Sequence, residues 1–207
     1  MDKVVLIGAG GHCKAAIDVI ELDGTYSIAG VIEKNSGVSG PVLGYPILGS
    51  DNELSHLARE HPLFLVTIGQ IDDPMSRINV FGLACDSGMK PVSIVSPQAY
   101  ISRYAQIHTG TIVMHGAIVN THAQVGQNCI VNSLALIEHD SVIGNHCHIS
   151  TGARVNGNVR VGDASFVGSG AVLKHGITIG ARSVIGAGAY VDSDVSEGGV
   201  VKALRKL

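Results

Sequence analysis

The chain has 207 residues, 45% of them hydrophobic and 15% charged, with 27 glycines, no Trp and a formal net charge of −3 at pH 7. These proportions describe a globular protein large enough for one or two cored domains, and they exclude both the basic groove that a nucleic acid needs and an acidic tail.

Met1-Asp2-Lys3 leads into a short apolar run, Val4 to Ile7, that stops at glycine. A secretory signal would continue into a longer apolar region and a cleavage site, so none is expected. No apolar stretch is long enough to span a bilayer, so membrane insertion is not expected either. Cys13, Cys85, Cys129 and Cys147 lack zinc-type spacing. Their scatter fits reduced thiols and places the protein in the cytoplasm.

The first element is a buried strand, Lys3 to Ile7, ending in Gly8-Ala9-Gly10-Gly11-His12 and followed by a helical pattern through Ile20. Strand, glycine turn and helix together aim backbone N–H groups at one point, which suits a pyrophosphate. The run nearly matches G-x-G-x-x-G, but Cys13 stands in the last place, so the dinucleotide fingerprint is broken.

A second strand, Ile28 to Ile32, ends at Glu33-Lys34, where an acidic side chain can accept a ribose hydroxyl. A third, Leu63 to Ile68, ends at Gly69-Gln70. The three strand ends converge on one crevice, where open parallel sheets bind ligands. A helix from about Asp73 to Ser87 and a short strand from Val92 to Val95 complete a Rossmann-like α/β domain over residues 1–95. The competing reading of this domain is an oligomerisation or spacer unit.

From Ile101 to Val191 an aliphatic residue recurs at every sixth position, sixteen times without an insertion. Two places earlier the side chain is usually small, as at Ala99, Ala117, Cys129 and Ala153, with Val159 and Ile177 as exceptions. Glycine often follows the aliphatic residue, as at Gly126, Gly144 and Gly168. A period of six fits neither a helix nor a simple alternation. It fits a three-sided prism in which three hexads, eighteen residues, make one coil and glycines permit the tight corners. Successive coils then pair as parallel strands about 4.8 Å apart. This solenoid is assigned to residues 96–207.

Cys129 and Cys147, eighteen residues apart, should stack on one row as small core fillers, although their spacing also permits a disulfide. Between Arg103 and Glu138 there is no Asp, Glu, Lys or Arg. An uncharged stretch on a prism suggests faces packed against other subunits, the alternative being an uncharged but solvated surface.

The hexads, of the form [LIV]-G-x-x-[STA]-x, resemble the hexapeptide-repeat transferases, a resemblance that implies a left-handed parallel β-helix and a homotrimer with active sites between subunits. Gly8-Ala9-Gly10-Gly11-His12, the solenoid behind it and Ile137-Glu138-His139-Asp140 in mid-prism narrow the resemblance over nearly the whole chain. It is to the bacterial sugar acetyltransferases that include the UDP-4-amino-sugar N-acetyltransferases of the bacillosamine pathway and the sialic acid O-acetyltransferases.

That resemblance implies His139 as general base and Asp140 as its assisting acid. The chemistry agrees, because acetyl transfer from a thioester requires a proton to be removed from the attacking group near neutral pH. Adding eighteen to 139 gives Gly157, so the position above His139 has no side chain, leaving a notch for the thioester and a backbone N–H for the oxyanion. His148, Ser169 and Ala187 fall on acetyl-CoA positions, and Asn132 joins Ala9, Gly10, Gly11, His12, Glu33, Lys34 and Gly69 as a sugar-substrate residue. His108, His115, His122, His146 and His175 are read as surface or corner residues, and no histidine pair has metal-ligand spacing.

Two departures from the family pattern stand out. Asp140 occupies a place often held by Glu, and Gly199-Val200-Val201-Lys202-Ala203 replaces the Gly-x-Pro-Ala-[Lys/Arg] turn that often borders CoA. The first expectation is an acetyl-CoA-dependent N-acetyltransferase, without a metal, acting on the 4-amino group of a UDP-linked amino-deoxysugar. The alternatives are a sialic acid O-acetyltransferase and a non-catalytic trimeric nucleotide-binding scaffold.

Overall fold

The computed structural model describes residues 1–34, 40–71 and 73–203. Its first part is a five-stranded parallel sheet of order β3-β2-β1-β4-β5, with β1 at Lys3–Ile7, β2 at Ser27–Ile32, β3 at Ile47–Gly49, β4 at Leu63–Val66 and β5 at Lys90–Pro91. Helices α1 (Gly11–Asp23), α2 (Leu54–Glu60) and α3 (Met75–Asp86) complete it. The central strands are apolar on both sides because both faces are covered. Val4, Leu6 and Leu65 pack against Ile17 and Ile20 of α1, while Val5, Ile7, Phe64 and Val66 pack against Leu57 of α2 and Phe81 of α3.

Expected β1, α1 and β2 appear within a few residues of their sequence bounds, and α1 stops at Gly24, whose left-handed φ of 67° lets its N–H reach Ile20 O. The third strand is shorter than expected, ending at Val66 instead of Ile68. The Arg77 guanidinium takes the carbonyls of Val66 and Ile68 and turns the chain out of the sheet. The strand expected at Val92 to Val95 in this sheet is displaced: Lys90–Pro91 pairs with Leu63–Phe64, whereas Ile94–Val95 pairs with Ile112–Val113 in the solenoid.

The second part is a left-handed parallel β-helix with faces of six, five and seven two-residue strands. Partners stand eighteen residues apart, as in the series Ile101, Val119, Ile137, Val155, Leu173 and Val191. The second residue of each strand points inward, and from Val113 to Val191 the aliphatic column is buried. Val159 and Ile177, larger than their counterparts, are accommodated in the same core.

The corners differ from expectation in one respect. The glycines after the aliphatic positions are not the left-handed residues; at Gly168 a Cβ would stand 2.5 Å from the Ala187 nitrogen, so close coil-to-coil approach requires glycine there. The left-handed residue is two places further round, and Asp140 is one of them, with φ 61°.

The two parts share a core. Ile94, Ile112 and Ile130 on the solenoid face pack into the cluster that contains Ala16, Ile17 and Ile20 of α1. His115 adds a polar tie, its Nε2 2.9 Å from Asp18 Oδ2 and its Nδ1 2.7 Å from Ser96 Oγ.

Candidate active site

The corner that follows Leu136–Ile137 carries Glu138, His139 and Asp140 before the chain turns into Val142–Ile143. Residue 140 is left-handed, its N–H is tied to Thr121 O, and at this corner the side chains of 139 and 140 project outward from the prism. The His139 ring is therefore outside the solenoid, 55% exposed, beside Asp140 at 57%. Nδ1 of His139 lies 2.8 Å from Asp140 Oδ2, so the shorter acid reaches the ring despite lacking the methylene of Glu. A proton held on Nδ1 by this carboxylate leaves Nε2 as the basic nitrogen. Glu138 Oε2 accepts from the His139 N–H at 3.3 Å and from Asn120 Nδ2 at 2.9 Å, which fixes the backbone under the ring.

One coil above stands Gly157. A Cβ built there would meet Cε1 and Nε2 of His139 at 2.7 Å, so the eighteen-residue step does set a bare backbone over the ring, and the edge that carries the basic nitrogen faces it. The Gly157 carbonyl accepts from Gly176, while its N–H makes no hydrogen bond among the described residues. His175, two coils above His139 and expected to be a bland corner residue, borders the same notch from the other side, with the ring centroids 6.3 Å apart.

The strand ends of the α/β domain form a cleft of about 510 Å³ lined by Gly8, Ala9, Gly10, Glu33, Lys34, Asp51 and Gly69 together with Ser76 and Asn79 of α3. The Ala9 N–H donates to Glu33 Oε2 at 2.8 Å, so the acidic side chain sits at the glycine turn. Gly8 has φ 108° and a Cβ on it would lie 2.4 Å from Ile68 Cγ1, whereas positions 10 and 11 are open. Cys13, in place of the fingerprint's last glycine, is fully buried between α1 and the sheet.

His12, Asn132 and His148 converge elsewhere, at the seam between the two parts. His148 Nδ1 donates to Gln70 O at 2.6 Å and its Nε2 lies 3.2 Å from Asn132 Nδ2, which makes it a neutral ring bonded at both nitrogens. Burial, the largest effect, with Arg77 acting the same way, holds its pKa down at about 4, although the bond to Gln70 opposes this. His12 is lowered further, to about 3, first by burial and then by Arg77 and His148, and its Nε2 is buried without a hydrogen-bond partner among the described residues.

Sequence reasoning missed the residue at the centre of this seam. Arg77 is fully buried and donates Nη2 to both Asn128 O (3.0 Å) and Asn128 Oδ1 (2.7 Å), clamping the α/β domain to a solenoid corner. Nothing in its local sequence distinguishes it from a surface arginine on an amphipathic helix. The Ser50-x-x-Glu53 capping box, by contrast, was a readable signal for the unexpected short helix at 51–60.

Ser169 and Ala187 stand together but apart from His139. Both are exposed on one corner row, Ser169 between Phe166–Val167 and Val172–Leu173 and Ala187 one coil on between Val184–Ile185 and Tyr190–Val191, with Ser169 Oγ 2.9 Å from Ser150 Oγ. His139, Asp140 and Gly157 lie on the next corner of the prism. Among the described residues no three His, Cys, Asp or Glu side chains are grouped to hold a metal ion.

Residues 3–81 match the PglD N-terminal domain model, and residues 122–157 and 158–193 each match the bacterial transferase hexapeptide (six repeats) model. No curated protein sequence matches the chain. Among solved structures, it is similar to a His-to-Asn mutant of perosamine N-acetyltransferase from Caulobacter crescentus in complex with CoA and GDP-perosamine. The two are 30% identical over 98% of this chain and 94% of that one, with a TM-score of 0.91. It is equally similar to the acetyltransferase domain of PglB from Neisseria gonorrhoeae in complex with acetyl coenzyme A, at 30% identity over 99% of this chain and 98% of that chain, TM-score 0.89. WeeI from Acinetobacter baumannii shares the fold at 22% identity, with a TM-score of 0.86.

Proposed function

We infer, from the premise that this chain belongs to the hexapeptide-repeat family of sugar N-acetyltransferases, that it acetylates the 4-amino group of a UDP-linked amino-deoxysugar. Acetyl-CoA is the acetyl donor. The observation that carries the reading is the pairing of His139 with Asp140 beneath the bare backbone of Gly157.

In this reading the sugar nucleotide binds by its diphosphate at the Gly8–Gly11 turn, with Glu33 at the ribose. Nε2 of His139 takes the proton lost by the amine as its nitrogen bonds to the acetyl carbon, and Asp140 stabilises the imidazolium. The Gly157 N–H donates to the oxygen on which charge develops. The bare backbone at 157 leaves the His139 ring undisturbed at the face the thioester approaches, because a side chain there would press on Cε1 and Nε2.

A homotrimer working in the cytoplasm completes the proposal. The outward residues Tyr100, Ile118 and Leu136 form an uncharged stripe on one face, with Tyr100 and Ile118 exposed. Side-by-side prisms would cover that stripe and bring the Ser169–Ala187 corner of one protomer toward the His139 corner of the next. The separation of these two corners within one chain is the support for a shared site.

A GDP-linked amino sugar is the second reading, favoured by the likeness to the Caulobacter structure that holds GDP-perosamine. Thiol release from acetyl-CoA, measured with UDP- and GDP-linked amino sugars and with sialic acid, separates these and the O-acetylation alternative. Turnover on an amino sugar that is lost in His139→Ala is the expected result. Unchanged turnover in that variant would remove His139 from its role, and no turnover on any acceptor would favour a scaffold.

A further inference from the structure

At the corner that bears His139, eighteen-residue steps lead to Gly157 and then to His175. The place a Cβ would take on residue 157 lies 2.7 Å from His139 Nε2 and 3.2 Å from His175 Nδ1, so two ring nitrogens face one point from opposite coils. The ring centroids are 6.3 Å apart and the rings are inclined at 45°. Only His139 has an acid partner; the His175 ring is exposed and makes no hydrogen bond among the described residues.

We propose that His175 is a second catalytic residue, which hydrogen-bonds the sulfur of CoA and protonates it as it leaves. The proposal rests on reading this corner as the site of acetyl transfer. Ser169 and Ala187, the residues expected along CoA, stand at the height of His175 and above, toward the C-terminal end of the prism. An arm descending from that height to His139 passes His175 first, which puts the sulfur on the His175 side of the acetyl group and the amine on the His139 side.

The step balances with these two residues. The amine nitrogen bonds to the acetyl carbon, the carbon–sulfur bond breaks and its electron pair stays on sulfur. One amine proton passes to His139 Nε2, and the sulfur receives a proton from His175 Nδ1. The proton gained by His139 then leaves to solvent and His175 regains one from solvent, restoring both rings. Separate groups thus serve the attacking and leaving atoms, so a single imidazole need not swing between them.

The test compares wild type with His175→Gln and, as a control for plain positive charge, Lys174→Gln, using acetyl-CoA and an acetyl thioester of an acidic aryl thiol. An aryl thiolate leaves without needing a proton, so its transfer bypasses His175. Loss of general acid assistance should lower kcat with acetyl-CoA about 100-fold in His175→Gln, with the aryl thioester affected less than about threefold. An equal deficit with both donors, or a change confined to KM, would overturn the proposal.

A second readout needs no acceptor: the thiolate absorbance of CoA bound to the protein is titrated with pH. The bound thiol should ionise at lower pH in wild type than in His175→Gln, and identical titrations would overturn the proposal. Absent turnover with a His175-dependent titration would instead sink the acetyl-transfer reading while leaving the His175–sulfur contact intact.

Discussion

Gly157 lies directly over the imidazole of His139, and a single added carbon at residue 157 would stand 2.7 Å from both Cε1 and Nε2 of that ring. Real Cβ atoms do not approach other atoms so closely, so Gly157→Ala must push the ring off the notch. The backbone at 157 has no left-handed φ, and the coil below it should survive the change. We expect kcat/KM for acetyl transfer to fall about 100-fold, the scale of a displacement near 1 Å at a reacting centre. The thermal midpoint should move by less than a few degrees. Wild-type turnover in this variant would refute the notch as the thioester's place.

The contact between His139 Nδ1 and Asp140 Oδ2 makes a separate claim about tautomer and charge. Asp140→Asn keeps the shape but removes the charge that supports the imidazolium, and kcat should fall by a factor on the order of 10² to 10⁴. Asp140→Glu, which restores the charge on a longer arm, should recover most of that loss. A steady-state comparison of the three proteins at saturating acetyl-CoA decides it; equal kcat for Asn and Asp would dismiss the acid.

How much of this was legible in the sequence follows from what kind of interaction each residue makes. The solenoid and its notch could be read because every contact repeats at a fixed step, so arithmetic on residue numbers predicts who lies above whom, as with His139 and Gly157. The glycine crevice could be read because a strand, a turn and a helix are local. Arg77, Gln70 and the His115–Asp18 tie could not, since each joins segments far apart in the chain by a geometry that no local pattern encodes. The same limit explains why Ile94–Val95 was assigned to the wrong sheet: a two-residue apolar strand looks alike in either.

Acid should loosen the seam between the two parts. His148, buried and held neutral at a pKa of about 4, and His12, at about 3, both have folded-state values below the ordinary 6.5. The unfolded chain therefore binds more protons than the folded one between these values. Stability from the neutral rings is fully present above pH 6.5 and is lost as pH falls from there toward 4. Each ring contributes a slope of about 1.4 kcal/mol per pH unit within that window. Thermal midpoints between pH 7.5 and 4.5, about the span in which histidines titrate, should decline less steeply in His148→Gln. Parallel curves would show that His148 does not carry the effect.

The stripe formed by Tyr100, Ile118 and Leu136 predicts the assembly state. Ile118→Glu places a charge where the proposed trimer buries an apolar face, and removing a charge from water without a partner costs several kcal/mol. Sedimentation of the wild type should give a trimer and of the variant a monomer, with the folded coil retained in circular dichroism. A wild type that sediments as a monomer would end the shared-site proposal.

Arg77 is the residue on which both halves of the molecule depend. It donates to Val66 O at 3.1 Å, Ile68 O at 2.6 Å, Asn128 O at 3.0 Å and Asn128 Oδ1 at 2.7 Å. Burial lowers its pKa to about 10, which still leaves it charged at neutral pH, and the four acceptors supply what a carboxylate would. In Arg77→Met those acceptors lose their donors inside the protein, each unsatisfied group costing about 1–3 kcal/mol. Since some will find water, we expect a net loss of about 3–5 kcal/mol, or roughly 10 °C in Tm for a chain of this size. Arg77→Lys should restore less than half of it, because one ammonium cannot reproduce the planar fork that serves two segments at once. The loop at 66–70 also carries Gly69 of the crevice and Gln70, the partner of His148. Nucleotide-sugar binding should therefore weaken in both variants, even at temperatures where the protein is folded. A methionine variant with unchanged Tm and unchanged ligand affinity would show that the clamp is incidental.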